Sequence, residues 1–82
     1  MRATTDTLIL VTGDDCHLCE HGLEVLAALG LDARVVDVDD IEAAALAAAG
    51  IPLAFLPVLT DGERLIAYGR FSDKRLRREL GL

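Results

Sequence analysis

An α/β fold of order βαβαββα is predicted for this chain, and three features of the sequence predict it. Short apolar runs rich in branched residues alternate with segments whose apolar residues recur at helical spacing. Two of the runs flank one helical segment within about 30 residues, the size of a right-handed parallel βαβ unit. Further on, an Asp-Gly pair separates two more apolar segments, the signal for an antiparallel hairpin.

Thr7 to Thr12 reads Thr-Leu-Ile-Leu-Val-Thr, too brief for a helix and apolar enough for a buried first strand. Gly13, Asp14 and Asp15 then make a turn. Leu18, Gly22, Val25, Leu26 and Leu29 share one face of the first helix, and Gly30 is placed to stop it. Ala33 to Val38 is the second strand. Asp39 or Asp40 can cap the alanine-rich helix that follows, and Gly50 ends it. Pro57 to Thr60 and Glu63 to Tyr68 are the hairpin strands, with Asp61-Gly62 expected in a type I′ turn between them. Ser72 can cap a last helix that turns Leu76 and Leu80 to one face. Lys74, Arg75, Arg77 and Arg78 fall mostly on its other faces.

At 82 residues the chain supports one domain, 1–82, with one hydrophobic core. Hydrophobic residues make up 52% but aromatic ones only 4%, so packing must rest on Leu, Val, Ile and Ala. The net charge is -6 and lopsided: the first 63 residues hold 12 acids against 2 bases, the last 19 hold 2 acids against 6 bases. That acidity excludes general nucleic-acid binding, which needs clustered Lys and Arg to release counterions from phosphates. The basic last helix reads as a solvated face. Arg2 is followed by Thr and Asp rather than an apolar run, which is not the layout of a signal peptide, and a cytoplasmic monomer is expected. Residues 43–59 carry no charge, yet Gly50, Pro52 and Pro57 interrupt them. A helix end followed by a buried strand accounts for the run better than a membrane span.

Two cysteines in a reducing compartment point to a catalytic or metal-binding pair rather than a structural disulfide. Cys16-His17-Leu18-Cys19 falls where a strand's C-terminal end meets a helix start, the usual place for sites in α/β sheets. Unpaired amides and the macrodipole there favour a thiolate on Cys16, and the second thiol one turn on is close enough to close a disulfide. Cys16 can therefore attack and Cys19 resolve. A protonated His17 would favour the thiolate further, whereas Asp14 and Asp15 pull the other way. Two alternatives stand beside this. The cysteines could simply pack, or the chain could be a non-catalytic binding or adaptor domain in which they hold zinc with His17 or His21, although no second ligand cluster supplies the four positions a structural zinc site requires. Each histidine taken alone reads as a solvated helix-surface residue.

The motif Asp14-Asp15-Cys16-His17-Leu18-Cys19, the element order and Leu56-Pro57-Val58-Leu59 together resemble the bacterial glutaredoxin-like proteins, over nearly the whole chain. The likeness is to small members with Cys-His-Leu-Cys in place of Cys-Pro-Tyr-Cys. It implies a thioredoxin-like fold with a four-stranded mixed sheet flanked by helices. It also implies a cis-proline that begins the third strand and faces the cysteines. Pro57 is the candidate. Gly50-Ile51-Pro52 resembles the thioredoxin pattern too, but a strand begun at Pro52 would leave Pro57 inside a central strand, where it cannot donate to the ladder. The resemblance further implies that the backbone of Leu56 pairs with an incoming peptide or glutathione thiol. By the same likeness Gly69, Arg70 and Asp73 stand where relatives hold the γ-glutamyl end of glutathione. Arg70 replaces a glycine of that pattern, and Asp14 and Asp15 occupy the region where a lysine often sits. The implied activity is dithiol-disulfide exchange on a disulfide-containing protein or a low-molecular-weight thiol. No bound cofactor is implied, with glutathione as a co-substrate. Iron-sulfur assembly between two copies is a further possibility of such proteins.

Overall fold

The computed structural model describes residues 8–82. Its elements are β1 (Ile9–Thr12), α1 (His17–Ala28), β2 (Arg34–Asp37), α2 (Ile41–Ala48), β3 (Val58–Thr60), β4 (Leu65–Tyr68) and α3 (Asp73–Leu80). The expected strand start at Thr7 and the N-terminal Arg2 lie outside the described residues.

The four strands form one mixed sheet in the order β2-β1-β3-β4. β1 pairs with β2 in parallel, Leu10 opposite Val35, and with β3 in antiparallel, Leu10 opposite Leu59. A strand with neighbours on both edges and helices over both faces has no solvated side, and Ile9, Leu10 and Val11 are accordingly all buried. The alternation of side chains divides the core into two layers. On one face Leu8, Leu10 and Leu59 pack with Val25 and Leu26 of α1 and Leu76 of α3. On the other, Ile9, Val11, Val36 and Val58 pack with Ala43 and Leu46 of α2 and with Ile51. Burying each of the larger aliphatic side chains contributes about 1.5–3 kcal/mol, so these two layers, not the ion pairs, hold the sheet to its helices.

Helix starts follow the capping residues read from the sequence. Asp40 rather than Asp39 caps α2, accepting from the Glu42 amide at 3.3 Å, while Asp37 accepts from the Asp39 amide at 2.8 Å. Ser72 caps α3 by accepting from the Arg75 amide at 3.1 Å. The uncharged run at 43–59 divides into the end of α2, an irregular connection and β3. Among the described residues no helix is long and apolar enough to cross a membrane.

The hairpin departs from the two-residue type I′ turn. Thr60 pairs with Leu65, so Asp61 to Arg64 all lie in the connection, and only Gly62 takes a positive φ, 95°. Type I′ needs positive φ at both central residues. Here side chains build the turn instead. The Thr60 hydroxyl donates to the Arg64 carbonyl at 2.6 Å and accepts from the Gly62 amide at 3.0 Å, while Asp61 accepts from the amides of Glu63 and Arg64. Just beyond it, Ile66 is an extra residue between the paired Leu65 and Ala67, a bulge that turns both Ile66 and Ala67 toward the α1 and α3 layer.

Candidate functional site

β1 ends at Thr12, at the C-terminal end of an inner strand, and Gly13, Asp14 and Asp15 turn the chain into α1. Asp15 takes a left-handed φ of 55°, a conformation in which aspartate is among the tolerated non-glycine residues. Cys16 follows as the N-cap of α1 with extended φ and ψ of -104° and 97°. The role that serine or aspartate plays in other caps falls to its sulfur: the amide of Cys19 donates to Cys16 Sγ at 3.1 Å and also to the Cys16 carbonyl at 3.1 Å. An anion on that sulfur meets a donated N–H and the positive end of the helix together.

The two sulfurs lie at disulfide distance, with the Cα atoms 5.2 Å apart. Their surroundings differ. Cys16 is half-buried and borders open space, whereas Cys19, one turn inward, is only 5% exposed. A partner's sulfur can therefore meet Cys16 first, and Cys19 stands behind it.

Beside the pair runs a groove of about 350 Å³. Thr12, Gly13, Asp14, Asp15 and Cys16 wall it from the loop, His17, Cys19, Glu20 and Leu23 from α1, and Val35 from the edge strand β2. Compared with protein-family models, curated proteins and solved structures, the chain matches none. The chemistry of the site is thus read from its own residues. Three carboxylates, those of Asp14, Asp15 and Glu20, and one imidazole, that of His17, line the groove, and among the described residues no Lys or Arg does. Among the described residues no three of Cys, His, Asp and Glu come together as a group that could hold a metal ion.

His17 stands exposed on the groove wall, as a helix-surface histidine should. His21 does not fit that description. It is half-buried, and its Nε2 donates to the Phe71 carbonyl at 3.2 Å, tying α1 to the connection ahead of α3. Leu56 reaches the loop that leads to Cys16: its Cδ1 lies 2.9 Å from where a Cβ on Gly13 would stand. The Leu56–Pro57 bond is cis, and Pro57 is fully buried, its Cγ 3.3 Å from where a Cβ on Gly22 would stand. Gly69 donates its amide to the Pro57 carbonyl at 2.9 Å. Arg70 and Asp73 are exposed, and neither they nor Gly69 line the groove.

Glu20, Leu23 and Val35 belong to the groove, and the motif does not name them. A signal for two of them exists in the pattern. Leu23 is an apolar residue off the buried face of α1, and Val35 is a branched residue that an edge strand leaves 51% exposed. Glu20 carries no such signal; only the turn of the helix brings it to the rim.

Proposed function

We propose that this chain is a dithiol-disulfide oxidoreductase of thioredoxin-like fold, similar to the small glutaredoxin-like proteins, in which Cys16 is the nucleophile and Cys19 the resolving thiol. One observation carries the reading: a Cys-x-x-Cys pair at disulfide distance whose outer sulfur caps a helix and borders a groove while its inner sulfur is buried. In the reduced protein the Cys16 thiolate attacks one sulfur of a substrate disulfide. A mixed disulfide forms, and the substrate's other sulfur leaves as a thiolate that takes a proton from water. The Cys19 thiolate then attacks Cys16 Sγ and releases the second substrate thiol. Two electrons pass from the dithiol to the substrate, and the protein is left as its own disulfide. The order of sheet and helices, with Pro57 just ahead of β3 and Leu56 against the loop that leads to Cys16, supports the thioredoxin-like reading. We further propose a cytoplasmic monomer that needs no bound cofactor.

Pre-reduced protein mixed with 2-hydroxyethyl disulfide tests this in a single turnover. The expected result is release of substrate thiol with loss of two hydrogens from the protein by mass. Cys16→Ser should release none, and Cys19→Ser should accumulate the mixed disulfide at Cys16. Equal thiol release by Cys16→Ser would overturn the assignment.

A further inference from the structure

The groove says more about the substrate than the cysteines do. Asp14, Asp15 and Glu20 are all exposed on its rim, and among the described residues none of them has an ion-pair partner; the pairs present are Arg34–Glu42, Arg64–Asp61 and Arg75–Glu79. Their field therefore acts on whatever approaches Cys16. Leu23 of α1 and Val35 of β2, 41% and 51% exposed, line the same groove and give it an apolar portion. In the parallel ladder Val35 pairs with Leu10, which sets it on the same face of the sheet as α1. The groove thus has two properties at once: a negative rim and a place for an aliphatic side chain.

We propose, resting on the redox reading above, that this groove selects polypeptide disulfides whose cysteine is flanked by Lys or Arg and by an aliphatic residue, and discriminates against anionic disulfides such as that of glutathione. Electrostatic steering in such a groove changes encounter rates by factors of about ten or more and weakens as salt screens it. A small cationic disulfide shares the charge but not the aliphatic contact, so a polypeptide is the better match to a groove that offers both. The reaction is the same exchange: the protein dithiol is oxidised to its disulfide, the substrate disulfide is reduced to two thiols, and no further reductant enters a single turnover.

The test uses the full chain, pre-reduced, against five symmetric disulfides at low ionic strength. Three are dimers of short cysteine peptides containing leucine and carrying Lys, Glu or Ser flanks; the others are cystamine and oxidised glutathione. The Lys peptide should react about tenfold faster than the Glu peptide and than oxidised glutathione, with the Ser peptide between. High salt should flatten that order, as should the triple variant Asp14→Asn, Asp15→Asn, Glu20→Gln, whose asparagine tolerates the left-handed φ at position 15. Leu23→Ser with Val35→Ser should remove the advantage of the Lys peptide over cystamine while leaving the charge order. If the Ser peptide is reduced but the Lys peptide is no faster than the Glu peptide, the charge selection is overturned and the redox reading survives. Cystamine as fast as the Lys peptide in the unaltered protein would overturn the polypeptide assignment. If no disulfide of the five is reduced, both readings fail together.

Discussion

His21 on α1 donates its Nε2 hydrogen to the carbonyl oxygen of Phe71, fifty residues further along the chain, across 3.2 Å. A carbonyl can only accept, so the ring must carry its proton on Nε2. The bond lies two residues past Cys19 and holds the start of α1 against the connection that leads into α3. Phe71 is itself 4% exposed and packs in the α1 and α3 layer. His21→Ala should lower stability by about 1 kcal/mol, the usual cost of a part-buried bond whose acceptor is left unpaired. Urea unfolding of the two proteins measures it, and His21→Gln, which keeps an amide donor, should recover part of the loss.

Two glycines near the site predict different outcomes for the same substitution. At Gly22 a Cβ would stand 3.0 Å from Phe71 Cζ and 3.3 Å from Pro57 Cγ, both in the buried core. Ala gains about 1 kcal/mol of helix propensity over Gly there, but overpacking of this kind costs about 1–3 kcal/mol. Gly22→Ala should therefore destabilise by about 1 kcal/mol. At Gly13 the Cβ would meet Leu56 Cδ1 at 2.9 Å, the far end of a half-buried flexible side chain, on a backbone without positive φ. Gly13→Ala should shift Leu56 and leave the unfolding midpoint nearly unchanged. Thermal or urea unfolding of the two variants side by side decides both.

Cys16 should be the first thiol to react in the reduced protein. It is half-buried at the helix start and its sulfur accepts an amide hydrogen, whereas Cys19 is 5% exposed. Limited treatment with iodoacetamide followed by peptide mapping should find Cys16 alkylated at least about tenfold faster than Cys19. Preferential labelling of Cys19 would reverse the assigned roles.

The hairpin contributes a pH dependence of its own. Partial burial alone would push the Asp61 carboxyl up, but the donated amides of Glu63 and Arg64 and the Arg64 guanidinium outweigh it and hold the carboxyl below its ordinary value of 3.8. A carboxyl whose folded pKa is depressed stabilises the fold above its unfolded pKa and loses that contribution as pH falls through the folded one. The stability lead of the native protein over Asp61→Ala should thus be constant above pH about 5 and shrink below pH 3.8. Urea midpoints of the two proteins at neutral pH and near pH 2.5 check it.

Much of the architecture was legible because it follows from local rules. Branched apolar runs placed every strand, a 3.6-residue period placed α1, and Ser72 and the Asp39-Asp40 pair marked where α3 and α2 begin. The hairpin turn departs from its local rule. Asp-Gly favours a type I′ turn in isolation, but here Thr60 and Asp61 supply side-chain acceptors that stabilise a longer connection, and the bulge at Ile66 then sends two neighbouring residues to one face.

By itself the sequence determined the cysteine spacing, the helix start beneath it and the proline ahead of β3, because each is a matter of residues a few positions apart. Only the tertiary structure decided what surrounds those cysteines. Val35 borders the groove through strand pairing, Phe71 reaches His21 and Gly22 across fifty residues of chain, and Arg70 and Asp73 stay off the groove walls. Such neighbours are set by how the sheet and helices pack, and a pattern that repeats every two or 3.6 residues carries no record of which distant segment will come to rest against it.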